Sequence, residues 1–289
     1  MQYIDKYKLH DQGHSINVHF LQSCWNEEEG RMYPDIANAN ALYDEYKKTV
    51  FRDKWLPVIL DEQQGRCCYC MRKIDTSSLN IEHVVPRSTK GIEGHEEFKT
   101  YANAAPAIQD HVSLCEDFPS IGSKEEITAM AKMPHSIAHS NLLASCKGVS
   151  GIEKEGVCCC NQARGDSYLT PLMLMQNGVA NVTYSKNGFM YLVKEDKSWT
   201  TVINKLNSDS FLQIRSVWFH FSRTNYSVEQ ITAISGIVER INLFKTAYNI
   251  NNFESLDIEI QKYSGIDSST YWEILMAFDW FYGFYKEIV

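Results

Sequence analysis

Residues 66–88 read RCCYCMRKIDTSSLNIEHVVPRS. Cys67-x-x-Cys70 is the spacing at which two thiolates on one knuckle converge on a tetrahedral ion. A turn is expected at Asp75–Ser78, then a short strand over Leu79–Val85 that stops at Pro86, because proline limits how far a strand can pair. Near the end of that strand stand Glu82 and His83, a carboxylate beside an imidazole. The stretch predicts an α+β unit in which a bound metal pins a short strand.

A knuckle supplies only half a tetrahedral site. The second half is expected from residues 145–161, SCKGVSGIEKEGVCCCN. Cys146 ends one segment, and the chain returns after a glycine-rich excursion at Cys158–Cys160. The expected ligands are Cys67, Cys70, Cys146 and Cys160, with Cys158 or Cys159 as substitutes for the last. The alternative is that consecutive cysteines are simply buried or redox-active. Nine cysteines in a chain without a secretory signature do not make a disulfide framework. Cys24 and Cys115 stand alone and read as small buried hydrophobes.

An ion held by those thiols would fold two remote segments together and bring Glu82 and His83 near Asn161, which abuts the last cysteine. A carboxylate and an amide oxygen suit a hard cation such as Mg²⁺. A neutral imidazole suits removal of a proton from water. Together these are the parts for metal-assisted phosphodiester hydrolysis.

The bulk of the chain sets limits. Its 289 residues carry 36 acidic and 28 basic side chains, a formal charge of −8. That balance argues against binding nucleic acid by bulk electrostatics, which needs clustered lysine and arginine. No apolar run approaches bilayer length, and MQYIDKYKLHDQG lacks a secretory h-region, so a cytoplasmic location is expected. Residues 1–62 are expected to be helical, with Ala41, Leu42, Tyr46, Val50, Phe51 and Leu56 at helical spacing and Gly65 as the stop. Residues 63–175 form the expected core, with a polar, helical insert at 91–140 in which Ser123 caps a helix and Glu126 follows three residues on. Residues 176–289 read as a hairpin, with its turn at Lys186-Asn187-Gly188, and a helical tail. Leu212, Val217, Trp218 and Phe221 share a face of that tail, as do Ile231, Ile234, Val238 and Ile241, and aromatics crowd its end.

The order Cys67-x-x-Cys70, Ile81-Glu82-His83-x-x-Pro86-Arg87-Ser88, Ser140-Asn141-Leu142-Leu143, Cys146, Cys160-Asn161-x-x-Arg164-Gly165 resembles zinc-stabilised HNH endonucleases. The resemblance implies a ββα-metal finger embedded in a mainly helical protein. It implies that His83 is the general base, that Glu82 and Asn161 hold catalytic Mg²⁺ (or Mn²⁺), that Asn141 fixes the loop geometry, and that Zn²⁺ on the cysteines is structural. Arg87 and Arg164 are the expected nucleic-acid contacts. His95, His111, His135 and His139 are expected to be surface or structural residues, with His139 the one closest to a supporting role.

A narrower resemblance covers DEQQGRCCYCMRKI, HSNLLASCKG, CNQARGD and VINKLNSDSFLQIR. These are similar to the HNH subunits of Septu-type anti-phage systems (PtuB) and their retron-associated relatives. This likeness implies DNA as substrate and an ABC/SMC-like ATPase partner (PtuA-like), which would supply the DNA-binding surface the acidic balance leaves out. Two other readings stand beside it: a zinc-structured, non-catalytic subunit or adaptor, and cleavage of RNA or tRNA by the same site.

Overall fold

The chain opens with helices whose apolar faces meet. α1 (His10–Ser23) buries Val18, Phe20 and Leu21. A small antiparallel pair follows, β1 (Trp25–Asn26) with β2 (Arg31–Met32). α2 (Ala39–Lys48) starts where the Asn38 side chain accepts the Ala41 N–H at 3.1 Å, and it buries Leu42, Tyr43 and Tyr46. α3 (Val50–Glu62) buries Trp55, Leu56, Val58 and Ile59. The single helical stripe expected over these residues is therefore two helices. Thr49 is extended, with ψ 162°, and the break leaves Val50 64% exposed instead of in the core. The stop expected at Gly65 is present: its φ is +66° and its N–H reaches the Leu60 carbonyl at 2.7 Å.

This is a computed structural model, and it describes residues 1–71, 74–77, 79–118, 120–146, 160–184 and 189–207. β3 (Leu79–His83) leads into α4 (Gly91–Ala104), α5 (Pro106–His111), β4 (Val112–Ser113), α6 (Lys124–Thr128) and β5 (Met133–Pro134) before β6 (Leu142–Cys146) returns. β3 and β6 are antiparallel, with Leu79 opposite Cys146 and His83 opposite Leu142. α6 is capped as expected, Ser123 Oγ accepting the Glu126 N–H at 3.3 Å. The insert is more than a polar excursion, however. Tyr101, Ile108, Leu114, Ile127 and Ile137 are fully buried, so it supplies a share of the core.

α7 (Asn161–Arg164), α8 (Gln176–Ala180), β7 (Val182–Tyr184), β8 (Met190–Leu192) and α9 (Thr200–Leu206) complete the described elements. β7 and β8 pair as the expected hairpin. Its turn, the tail stripes from Leu212 to Ile241 and the terminal aromatics lie outside the described residues. Of the described residues, those up to 146, with 160–182 and 192–205, pack as one unit; 183–184, 189–191 and 206–207 belong to another. The expected boundary at residue 62 is thus not a break in packing. Among the described residues no helix is long and apolar enough to cross a membrane.

The N-terminal helices are joined to the strand pair by a polar, buried network. Lys6 Nζ donates to Glu62 at 2.6 Å, His139 Nε2 meets the other Glu62 oxygen at 2.6 Å, and Trp55 Nε1 donates to His139 Nδ1 at 3.1 Å. Burial pushes the Glu62 carboxyl up, but Lys6 and then His139 overcome it and hold the group below its ordinary range. Gly13 lets α1 approach this network, since a Cβ built there would lie 2.2 Å from the His139 ring. Gly13→Ala therefore tests the packing by its sign. At an unconstrained helix position the change stabilises by up to about 1 kcal/mol. Here urea unfolding should show a loss of about 1–3 kcal/mol.

A candidate metal centre beside an acid–base pair

The thiols of Cys67, Cys70, Cys146 and Cys160 all lie within 4.8 Å of one another. Cys70 and Cys146 are 3.9 Å apart and Cys146 and Cys160 3.5 Å apart, far beyond a disulfide bond. Tetrahedral zinc with four sulfurs at about 2.3 Å requires an S–S edge of about 3.8 Å. The spacing fits a metal ion such as zinc. Cys67, Cys146 and Cys160 are buried and Cys70 half-buried, so the donors stand out of water. Backbone geometry pays for the convergence at two points: Met71, just after the knuckle, and Cys160 have φ of 63° and 56°, a region non-glycine residues seldom enter.

The register of the fourth ligand falls on Cys160; Cys158 and Cys159 lie outside the described residues. Cys68 is not part of the set. Burial pushes its thiol well above the ordinary range, and its backbone N–H bonds the Ala144 carbonyl at 3.0 Å, which ties the knuckle to β6. Gln63 reinforces that tie by acting as a surrogate strand: its side chain donates to the Arg66 and Ala144 carbonyls at 2.7 and 2.8 Å and accepts the Ala144 N–H at 2.7 Å.

Tyr69, inside the knuckle, connects the thiols to the carboxylate. Its hydroxyl donates to Glu82 Oε1 at 2.7 Å. The same oxygen accepts from Arg164 Nη1. Burial raises the Glu82 pKa, and the Arg164 guanidinium and then Tyr69 oppose the shift. Every bond that Glu82 makes with a side chain falls on Oε1, which leaves Oε2 uncommitted among the described residues.

Arg164 does not stand where a phosphate contact was expected. Its remaining donors go to the carbonyls of His83 (2.5 Å), Val84 (2.6 Å) and Ser167 (3.2 Å) and to the Tyr101 hydroxyl (3.1 Å). All five N–H groups of the guanidinium are used inside the protein. The residue clamps α7 to the end of β3 and to α4. Arg87, by contrast, is half-exposed; its guanidinium lies 4.7 Å from the Tyr43 ring centre, with Asp44 at 3.9 Å.

His83 rests edge-on against the Tyr43 ring at 4.6 Å, and its Nε2 lies 2.9 Å from the Ser136 carbonyl. A carbonyl only accepts, so Nε2 carries the hydrogen and the Nδ1 lone pair is open. Burial pushes the imidazole down to about 3, which keeps it neutral. Asn141 is fully buried and holds the turn beyond His83: Oδ1 accepts the Val85 N–H at 2.7 Å, and Nδ2 donates to the Val85 and His135 carbonyls at 3.0 and 2.6 Å. Asn161 opens α7 one turn before Arg164 and so shares its face. Among the described residues its buried Oδ1 has no hydrogen-bond partner, the mark of an oxygen with a ligand still to find.

Tyr69, Tyr43 and Gln63 were not anticipated from sequence. Only Tyr69 carried a signal, its place between Cys68 and Cys70.

The cysteine set predicts about one tightly held zinc per chain by elemental analysis of purified protein. Cys67→Ser and Cys146→Ser should lose it, while Cys68→Ser keeps it. Zinc retained in all three would dissolve the assignment. Comparison with protein-family models, curated proteins and solved structures finds no match, so the functional reading rests on this geometry and on the sequence motifs.

Proposed function

We propose that the chain is a metal-dependent HNH-type endonuclease that hydrolyses DNA phosphodiester bonds, with structural Zn²⁺ on Cys67, Cys70, Cys146 and Cys160. The observation that carries the reading is a set of three unfilled valences. Among the described residues His83 Nδ1 has an open lone pair, Glu82 Oε2 is uncommitted and Asn161 Oδ1 is an orphan. The order strand, strand, helix in β3, β6 and α7 is the order that a ββα unit would take, and it supports the reading.

In this mechanism His83 takes a proton from water at Nδ1 while the Ser136 carbonyl holds its other nitrogen. Asn141 keeps the turn after His83 from drifting. Mg²⁺ (or Mn²⁺) bound by Glu82 Oε2 and Asn161 Oδ1 would supply Lewis-acid stabilisation of the phosphate and the leaving oxygen. Tyr69 and Arg164 keep Oε1 occupied, so that Glu82 presents one oxygen. The chain acts as the nuclease subunit of an anti-phage complex in the cytoplasm, and an ABC/SMC-like ATPase partner supplies the broad DNA-binding surface that a charge of −8 does not.

One observation favours the non-catalytic subunit instead. The Arg164–Glu82 pair would serve a purely structural clamp equally well. Plasmid cleavage with Mg²⁺, by the chain alone and with its ATPase and ATP, separates the two. Wild type should nick or cut DNA, leaving 5′-phosphates and 3′-hydroxyls, and leave RNA intact. His83→Ala should fall by about 10²-fold or more with zinc content unchanged. Equal cutting by both proteins removes His83 from the chemistry, and RNA-only cleavage moves the substrate to RNA.

A further inference from the structure

Tyr43 makes two contacts to which the mechanism above gives no task. It lies on α2 and is 6% exposed, and the fully buried Leu42 and Tyr46 fasten the helix on either side of it. The Tyr46 ring meets Phe20 of α1 edge-on at 4.9 Å, so this part of α2 has little room to move. The Tyr43 hydroxyl makes no hydrogen bond among the described residues. What the residue offers its neighbours is therefore the ring.

The first neighbour is His83. The hydrogen bond from Nε2 to the Ser136 carbonyl, at 2.9 Å, anchors one corner of the imidazole. One such bond still lets the ring swivel about it, and the outer torsion of a histidine is broad. Tyr43 closes off that freedom: the two rings stand 4.6 Å apart with their planes at 80°, the edge-to-face arrangement that aromatic pairs favour. A swivelled imidazole would aim its Nδ1 lone pair elsewhere.

The second neighbour is Arg87. Its guanidinium carbon lies 4.7 Å from the centre of the same ring, within cation–π range. Asp44, at 3.9 Å, is too far to accept a hydrogen bond from it and is closer to Lys47, at 2.9 Å. The Arg87 guanidinium thus has no hydrogen-bond acceptor among the described residues, whereas that of Arg164 spends its donors inside the protein. An unbonded, half-exposed arginine samples many rotamers. Stacking on a fixed ring keeps its fork in one plane, ready for a phosphate.

We propose that Tyr43 is a positioning residue: its ring holds the His83 imidazole and the Arg87 guanidinium at one mutual angle, so that a phosphodiester gripped by Arg87 stands where the His83 lone pair faces the attacking water. The proposal rests on the nuclease reading and adds to it a residue from α2, outside the cysteine and His83 motifs.

The test compares Tyr43→Leu, which keeps apolar bulk without the ring, with Tyr43→Phe, which keeps the ring without the hydroxyl. Tyr43→Met, longer and more adaptable, serves where Tyr43→Leu does not fold. In full-length protein labelled on histidine and arginine, NMR of the His83 ring protons and the Arg87 Nε–H reads the contact with no ligand present. Tyr43→Leu should move both signals, and Tyr43→Phe should restore them. In the plasmid assay Tyr43→Leu should lower kcat by about tenfold or more and raise KM by about threefold, with zinc content unchanged, and Tyr43→Phe should recover both. On an Arg87→Gln background Tyr43→Leu should raise KM no further, because the two residues act as a unit. A merely structural Tyr43 would reduce the amount of working enzyme and so lower kcat alone. Unmoved NMR signals in Tyr43→Leu overturn the platform whatever the chain cleaves. Full cutting by Tyr43→Leu, an unchanged KM, or no recovery in Tyr43→Phe overturns the positioning role while the nuclease reading stands. No cutting by wild type removes that reading and the positioning role with it, and the NMR signals still decide whether the ring holds both groups.

Discussion

Four sulfurs from three separated stretches must reach one point, and much of the surrounding structure is the consequence. Cys67 and Cys70 come from the knuckle after α3, Cys146 from the last residue of β6 and Cys160 from the residue before α7. Because Cys146 is paired in register with Leu79, fixing the sulfurs also fixes where β3 lies along β6. Because Cys160 immediately precedes α7, it fixes where that helix starts. An unfolded chain has no such site, so an ion bound there would become part of the folding free energy. The positive φ at Met71 and Cys160 is the local cost of bringing the ends together.

Around that centre the protein uses buried polar contacts where apolar ones would pack as well. Arg164 with Glu82, Asn141 with the Val85 backbone, Gln63 with Ala144, and Glu62 with Lys6 and His139 are all largely shielded from water. Buried ion pairs seldom add much net stability, since desolvating the charges consumes most of the attraction. Their gain here is direction. An apolar contact tolerates a shift of half an ångström or a turned ring; a guanidinium bonded to three carbonyls, a carboxylate and a phenol does not. Three of these networks end beside the strand ends, where β3 leaves His83 and β6 begins after Asn141; Gln63 instead holds the middle of β6 at Ala144.

How much of this was legible in the sequence depended on range. The thiol set, the Ser123 cap and the strand carrying Glu82 and His83 follow from spacings of two to four residues, or from the rarity of clustered cysteines. The break between α2 and α3 did not. Val50 and Phe51 continue an apolar stripe, and nothing local announces that Thr49 turns extended. The insert looked polar because its buried residues, Tyr101, Ile108 and Ile127 among them, are spread through a charged sequence. Arg164 was misplaced for a related reason. A lone arginine is ordinarily read as solvent-facing or ligand-facing, and only Glu82 and the carbonyls of residues about eighty positions away make its burial tolerable.

The histidines show why geometry, rather than residue type, selects a base. Three of them surround Asn141. His139 accepts from Trp55 at Nδ1 and meets Glu62 at Nε2, so both nitrogens are taken and the ring works as a strut. His135 accepts from the Cys115 backbone at Nδ1, so its Nε2 carries the hydrogen and faces the Arg87 backbone as a donor. His83 has the reverse arrangement, with Nε2–H given to the Ser136 carbonyl and the Nδ1 lone pair left over. All three are held neutral in the first place by burial. Identical side chains thus become a strut, a donor and a proton acceptor, and in each case a donor or acceptor of the surrounding fold decides which nitrogen keeps the hydrogen. Of the three, only His83 keeps a ring lone pair that no bond engages among the described residues, the one that the proposed hydrolysis would use.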